Sequence, residues 1–368
     1  MTIVLDARTA TDHFPGIGRY VVNLAAALKA IAPALDLALL IDSTVPAGRL
    51  TLPDLPVIAC PIDPFALQQQ WRVPKQLRDL KATLYHSPYY LMPYRTGVPT
   101  VLTAYDVIPL IYPQYYTAVR RLIFRVAHGL ALRTARVVLA ISEATKRDLV
   151  QHFGIEANKI SVTPLATDVR FTPQSASAIQ VVREKYRLPD RYVLYFGSNK
   201  PHKNLPRLVG AFSKSAISNQ QSAIHLVIAG SWDGRYNEAK QLAANNDRIR
   251  FIGPVSEADL PALYGGATVF AFVSEYEGFG LPPLEAMACG TPVIASNMSS
   301  LPEVVGDAGL LVDPHDVNAI AVALERVLGD ADLRRELKQR SLDRAAQFSW
   351  ARTAQQTLDV YQSIASDN

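Results

Sequence analysis

The sequence predicts an α/β protein built from two doubly wound parallel sheets, one in each half of the chain. Three observations predict this. The length, 368 residues, fits two domains of ordinary size. Short β-branched runs alternate with longer segments of helical period, the pattern of a parallel sheet covered by helices. The alternation is interrupted at residues 171–179, a polar stretch with a proline and no strong period, and then restarts. That places the interdomain linker at 171–179, a first domain at 1–172 and a second at 180–345.

In the first half, strands are expected at 3–6, 37–41, 56–60, 83–86, 100–104 and 137–141. Helical period covers 18–31 and 117–135 between them. Ser142-Glu143-Ala144-Thr145 reads as a helix N-cap with an acidic first turn, opening a helix through Val150. In the second half, strands are expected at 192–196, 225–229, 249–252, 267–272, 292–295 and 309–312. Helices are expected at 205–216, 237–245, 258–264, 283–288 and 317–328. Sheets of this kind bind ligands beyond the carboxyl ends of their strands.

Composition narrows the classes. With 49% hydrophobic and 19% charged residues the chain has ample core material, so disorder and fibrous repeats do not fit. A net charge of +4 is too small to point to nucleic acid, but it suits an anionic ligand or an acidic membrane surface. Cys60 and Cys289 lie far apart, without a CxxC or clustered histidines, which argues against a disulfide framework and a zinc site. No signal peptide and no apolar run near the ~20 residues of a membrane span is visible, so a cytoplasmic protein is expected.

Three segments carry chemistry. Pro15-Gly16-Ile17-Gly18-Arg19-Tyr20 leads into a helix whose free N–H groups favour an anion, with glycines that let a ligand approach the backbone. An ordinary glycine turn is the competing reading. A dinucleotide fingerprint with Asp42 as the ribose acid is another, weakened by Val21 at the third glycine position and by the long gap after the first strand. Phe196-Gly197-Ser198-Asn199-Lys200-Pro201-His202-Lys203-Asn204 joins a glycine turn, a hydroxyl and two lysines just before a helix. It is either a diphosphate cradle or a loop with solvated lysines.

The sharpest segment is Ser274-Glu275-Tyr276-Glu277-Gly278-Phe279-Gly280-Leu281-Pro282-Pro283-Leu284-Glu285-Ala286. Glu277 and Glu285 stand eight positions apart across a Gly/Pro-rich turn, with a helix expected to begin near Pro283. Glu277 then falls in a loop and Glu285 in the first helical turn, both toward one crevice. Carboxylates there accept hydrogen bonds from diols, and the helix start would meet a phosphate. A plain first-turn acid is the rival reading of Glu285.

This element, with Gly290-Thr291-Pro292-Val293-Ile294-Ala295-Ser296, Leu301-Pro302-Glu303-Val304 and Ala308-Gly309-Leu310-Leu311-Val312-Asp313-Pro314, resembles the retaining glycosyltransferases of family GT4. The order of the glycine loop, the Asp106 segment, Ser142-Glu143, Pro164, Lys203-Asn204 and E-x7-E is similar to that family along nearly the whole chain. The resemblance implies the GT-B fold, two Rossmann-like domains facing across a cleft. It implies an acceptor-binding first domain, a second domain that binds a nucleotide-sugar donor, and a helix at 346–368 returning toward the first. It implies catalytic roles for Glu277, Lys203 and Asp106. Donor contacts are implied at Gly16, Gly18, Ser198, Lys203, Glu277, Gly278, Phe279, Gly280, Leu281 and Glu285. It also implies that the enzyme works without a metal or other cofactor.

Two positions depart from the family pattern: Tyr105, where relatives commonly carry His, and Ser198, where many carry Arg. Tyr105, His86 and Ser142 are the candidate acceptor contacts, with a structural histidine as the other reading of His86. Arg120-Arg121-Leu122-Ile123-Phe124-Arg125-Val126-Ala127-His128 mixes arginines with large apolar residues. It is either a peripheral contact with the inner face of a membrane or a core helix with a solvated arginine face. The expected function is retaining transfer of a hexose from a nucleotide sugar, GDP-mannose ahead of a UDP-sugar, to a glycan or lipid-linked acceptor. No nucleic-acid partner is expected. A nucleotide-sugar epimerase, a non-catalytic nucleotide-sugar binder and, more remotely, a nicotinamide-dependent oxidoreductase are the alternatives.

Overall fold

The structure, a computed structural model, describes residues 1–11, 13, 15–45, 51–215 and 224–366. The chain forms two compact units. The first comprises Met1–Leu165 together with Ser349–Asn368, and the second Ala166–Phe348.

The first unit contains a seven-stranded parallel sheet ordered β3-β2-β1-β4-β5-β6-β7. Its strands are β1 (Thr2–Asp6), β2 (Asp36–Ile41), β3 (Val57–Ala59), β4 (Leu84–Ser87), β5 (Thr100–Ala104), β6 (Val137–Ala140) and β7 (Ile160–Val162). The central strands are buried on both faces, and β4 and β5 have no exposed residue at all. Sequences of that kind read as continuous apolar runs because helices cover each side. The helix Pro15–Ile31 supplies one cover, turning Tyr20, Val21, Leu24, Ala25 and Leu28 to the core. The helix Trp350–Ser366 packs in the same unit, with Ala354, Tyr361 and Ile364 buried.

The second unit holds a six-stranded parallel sheet ordered β10-β9-β8-β11-β12-β13. These are β8 (Arg191–Phe196), β9 (Ile224–Ala229), β10 (Ile249–Gly253), β11 (Val269–Phe272), β12 (Val293–Ser296) and β13 (Leu310–Val312). Both sheets reverse strand order beside their first strand, the doubly wound arrangement expected from the sequence.

Several expectations need correction. Residues 176–179 are not linker: Ser175 caps a helix Ala176–Lys185 by accepting from the Ala178 N–H, and the boundary between units falls at Leu165/Ala166. The polar composition hid an apolar helical face, on which Ile179 packs against Gly265 and Gly266. The helix expected from Pro283 begins at Leu281, and the one expected from Gly18 begins at Pro15. The helix expected over 205–216 is Leu205–Lys214, and residue 216 lies outside the described residues. Among the described residues, no helix is long and apolar enough to cross a membrane.

Candidate active site

The strand order of the second sheet reverses between β8 and β11, and the loops leaving these two strands carry the residues singled out in sequence. After β8 the chain makes a 3-10 turn, Pro201–Lys203, and passes through Asn204 at φ +59° into the helix Leu205–Lys214. The buried Asn204 amide donates to the carbonyls of Val273 (3.0 Å) and Pro314 (2.7 Å). The Glu275 N–H donates to the His202 carbonyl at 2.7 Å. These bonds tie the loop after β8 to the loop after β11. As a result the Lys203 ammonium donates to both carboxylate oxygens of Glu277, at 2.7 and 2.8 Å. Their side chains are only 18% and 11% exposed, so solvent screens the pair little. An ammonium has three N–H groups, so one remains for another acceptor. His202, beside the lysine, is held neutral. Burial, with help from the charges of Lys203 and Lys200, lowers its pKa to about 3.

The loop bearing Glu277 is fixed through its carbonyls. Ser299 and Ser300 hydroxyls reach the Glu277 carbonyl at 2.6 and 2.9 Å, and Ser296 holds that of Ser274 at 2.6 Å. Gly280 then turns the chain at φ +118°, where an added Cβ would lie 2.7 Å from a Leu301 methyl. Because the helix is Leu281–Ala288, Glu285 falls in its second turn, not its first, and is buried. It is therefore no ordinary first-turn acid. The Tyr264 hydroxyl donates to its Oε2 at 3.0 Å. Pro282 and Pro283 lack N–H groups, so an anion at this helix start meets amides of the preceding loop instead of the helix interior. The structure thus brings Lys203 and Glu277 into contact and gives Glu285 a tyrosine partner that sequence spacing does not disclose.

Two cavities adjoin the loop after β8. One of about 670 Å³ is lined by Asn199, Asn204, Arg207, Arg235, Tyr236 and Glu275, among others. The second, about 140 Å³, is lined by Gly197, Gly230, Ser231, Trp232, Phe251 and Gly253, among others. Its floor needs Gly230: φ is +122°, and an added Cβ would meet the Gly197 carbonyl oxygen at 2.1 Å. Ser198 contributes its carbonyl, which accepts from the Tyr195 hydroxyl at 2.6 Å. Among the described residues, no three His, Cys, Asp or Glu side chains converge as a metal-binding set.

Residues 15–171 match the family described as Glycosyltransferase Family 4, and residues 179–344 match Glycosyl transferases group 1. The O-antigen chain mannosyltransferase B of Escherichia coli is 35% identical over 307 residues, covering 82% of this chain and 80% of the relative. The chain belongs to glycosyltransferase family 4. A serotype-specific mannosyltransferase WbdA of Escherichia coli is 33% identical over 269 residues, 71% of this chain but only 33% of that longer protein. Anabaena Alr3699/HepE, solved in complex with UDP, superposes with a TM-score of 0.75 at 20% identity, covering 99% of this chain and 100% of that one. The fold of this glycosyltransferase is accordingly GT-B.

In the first unit of the family-4 enzyme, the candidate residues divide. Gly16 and Gly18 lie inside the first turns of the helix Pro15–Ile31, and among the described residues nothing beyond its chain neighbours and its own helix backbone comes within 4 Å of a Cβ placed on Gly16. The Asp106 carboxylate accepts from the Ile108 N–H at 3.0 Å and opens a short helix, Ile108–Ile111. The buried Tyr105 hydroxyl has no hydrogen-bond partner among the described residues, and its ring meets Tyr20 edge-on at 5.6 Å. Burial raises that phenol well above its usual pKa, so it stays a neutral donor.

His86 and Ser142 are corrected. His86 is fully buried, with Nε2 at 2.8 Å from Thr103 Oγ1 and Nδ1 at 2.5 Å from Tyr361 Oη; burial lowers its pKa to about 3. It is a core residue. Ser142 is 1% exposed and accepts from the Thr145 N–H at 3.0 Å, so its hydroxyl serves as a helix cap. Sequence reasoning also missed the buried Asp6–Arg8 pair at the end of β1, joined at 2.6 Å, with the Tyr85 hydroxyl on the same carboxylate at 2.5 Å. Asp6 and Arg8 sit two positions apart in an apolar context, a signal available in the sequence.

Proposed function

We propose that the chain transfers a hexose from a nucleotide sugar to a glycan or lipid-linked acceptor, with retention at the anomeric carbon and without a metal. The observation that carries the proposal is the Lys203–Glu277 contact at the reversal of the second sheet. It joins a cation suited to diphosphate and an acceptor suited to sugar hydroxyls in one small site. In this reading Lys203 spends its remaining N–H on a diphosphate oxygen, and Glu277 takes hydroxyls of the transferred sugar. Glu285, oriented by Tyr264, takes the ribose diol. Gly16, Gly18 and the loop Gly278–Leu281 admit the phosphates against backbone. The acceptor belongs to the first unit, where Asp106 is its candidate contact; the buried, unpartnered Tyr105 hydroxyl can reach it only if the cover over that hydroxyl moves.

Retention needs no enzymic nucleophile here. The acceptor oxygen bonds to the anomeric carbon as the bond to the leaving phosphate breaks, and the acceptor proton passes to that phosphate oxygen on the same face. The protein positions the reactants and stabilises the growing diphosphate charge. GDP-mannose is the first donor candidate, supported by the relatedness to an O-antigen chain mannosyltransferase. UDP-sugars come next, supported by the likeness to a protein solved with UDP. A cytoplasmic site of action is part of the proposal.

The test is a panel of GDP- and UDP-sugars with and without acceptor glycan, in EDTA, following nucleoside diphosphate release and the anomeric configuration of the product. Acceptor-dependent GDP release from GDP-mannose is expected. Glu285→Ala is expected to weaken nucleoside diphosphate binding by roughly tenfold or more in calorimetry, the loss of charge-assisted hydrogen bonds. Release without acceptor would instead favour an epimerase, and an inverted product would overturn the mechanism.

A further inference from the structure

The helix Ala118–Thr134 has two apolar faces. Phe124, Ala127, His128, Ala131 and Leu132 face the core of the first unit. On the opposite side Val119, Leu122, Ile123, Val126 and Leu130 are 66, 63, 54, 52 and 42% exposed. Their spacing (i, i+3, i+4, i+7, i+11) forms one continuous stripe along the helix. The outer face of a helix on a folded domain is ordinarily polar, so a five-residue apolar stripe in water is costly unless something covers it.

The charges around the stripe say what covers it. By the same spacing Arg120 and Arg125 stand to either side of it, Arg133 continues it at i+14, and Arg121 turns toward the core side; the helix contains no Asp or Glu. Among the described residues, none of these four guanidinium groups has an ion-pair partner. Arg121 and Arg125, with Leu122, Pro109, Leu110 and His152, line a groove of about 360 Å³ at the edge of the stripe. Arg121 Nε is buried there with no hydrogen-bond partner among the described residues. Just before the helix, Tyr112 and Tyr115 stack at 5.2 Å, side chains of the type that settle at a membrane–water boundary. Against this stands the reading of the helix as a core element with a solvated arginine face. The structure bears out both parts of that reading, a core-facing side and exposed Arg120, Arg125 and Arg133, and adds the exposed apolar stripe that it leaves unexplained. A second copy of the chain is a poor cover, since two-fold pairing of this face would set arginine against arginine with no acid on the helix to compensate.

We propose that this face docks on an anionic lipid bilayer, its apolar stripe entering the acyl boundary and its arginines taking lipid phosphates, with the Arg121–Arg125 groove holding one headgroup. The inference does not depend on the donor chemistry of the second unit. Its test is vesicle co-flotation of the full chain at low and high salt. Vesicles are phosphatidylcholine alone or with roughly 30% phosphatidylglycerol, a composition chosen for its negative surface potential. Binding to the anionic vesicles is expected to exceed that to neutral ones by about tenfold or more and to weaken with salt. The variant Leu122→Gln/Ile123→Gln/Val126→Gln is expected to lose binding, and Arg121→Gln/Arg125→Gln to lose the preference for anionic lipid, both with unchanged thermal unfolding. Equal binding to both vesicle types, or none, overturns the proposal. So does a dimer in sedimentation velocity that the triple variant dissociates.

Discussion

The contact between Lys203 and Glu277 makes a two-sided prediction, one for stability and one for turnover. Lys203→Met leaves a carboxylate with 11% of its side chain exposed and no cation beside it. Breaking a buried pair on one side costs about 3–5 kcal/mol; the partial exposure here reduces the expected loss to about 2–3 kcal/mol. Glu277→Gln costs less, because the long lysine stem can carry its ammonium toward water. The double variant removes both charges, so it is expected to be more stable than the sum of the singles by about 1–2 kcal/mol. Turnover follows a different rule. If Lys203 faces the leaving diphosphate, both Lys203→Met and the double variant lose about a hundredfold or more, and restoring stability does not restore rate. The assay is urea unfolding in a Trp71→Phe/Trp350→Phe background, in which Trp232 alone of the three tryptophans reports, and reports on the second unit. A coupling below about 0.5 kcal/mol would refute the pairing. Full turnover in the double variant would refute its role in catalysis.

Two further outcomes are expected. His128 stacks on Tyr90 at 5.1 Å, neither ring nitrogen has a partner among the described residues, and burial lowers its pKa to about 3. Because the folded pKa lies below the unfolded 6.5, the unfolded chain takes the proton first, and stability falls as pH drops from 6.5 toward 3. Relative to pH 7.5, His128→Leu should therefore lose about 2–3 kcal/mol less than the parent at pH 4.5, compared by urea midpoints; equal losses would count against the buried neutral ring. Gly16→Ala places a methyl in open space within a helix, so it should stabilise by about 0.5–1 kcal/mol. If donor phosphate approaches that backbone, the same change should raise donor KM, and an unaltered KM would remove Gly16 from the site.

How legible this was in sequence varied with the range of the interactions. The buried strands were readable because β-branched runs announce themselves locally, and so were Lys203, Glu277 and Glu285 as candidates. Their partners were not: Lys203 meets Glu277 across 74 positions, and Tyr264 meets Glu285 from a helix with no motif. β7 escaped because three residues, Ile160–Val162, give no period. The helix Gln69–Asp79 escaped because Pro74 sits inside it, and Ala331–Ala345 because its surface is charged almost all round. Ser142 was doubly readable, as a cap and as a contact, and only its bond to Thr145 decides between them.

The division of the first unit into two chain segments has a consequence for biosynthesis. The hydroxyl of Tyr361 completes the hydrogen bonding of His86, and Thr353 reaches the Pro164 carbonyl at 2.6 Å. Until residues 350–366 leave the ribosome, the sheet that was translated first therefore lacks a covering helix and exposes apolar core. The second unit, continuous from Ala166 to Phe348, is fully translated before then. Translation order and order of completion are thus reversed, and the earlier-made half is the one that needs protection from aggregation while it waits.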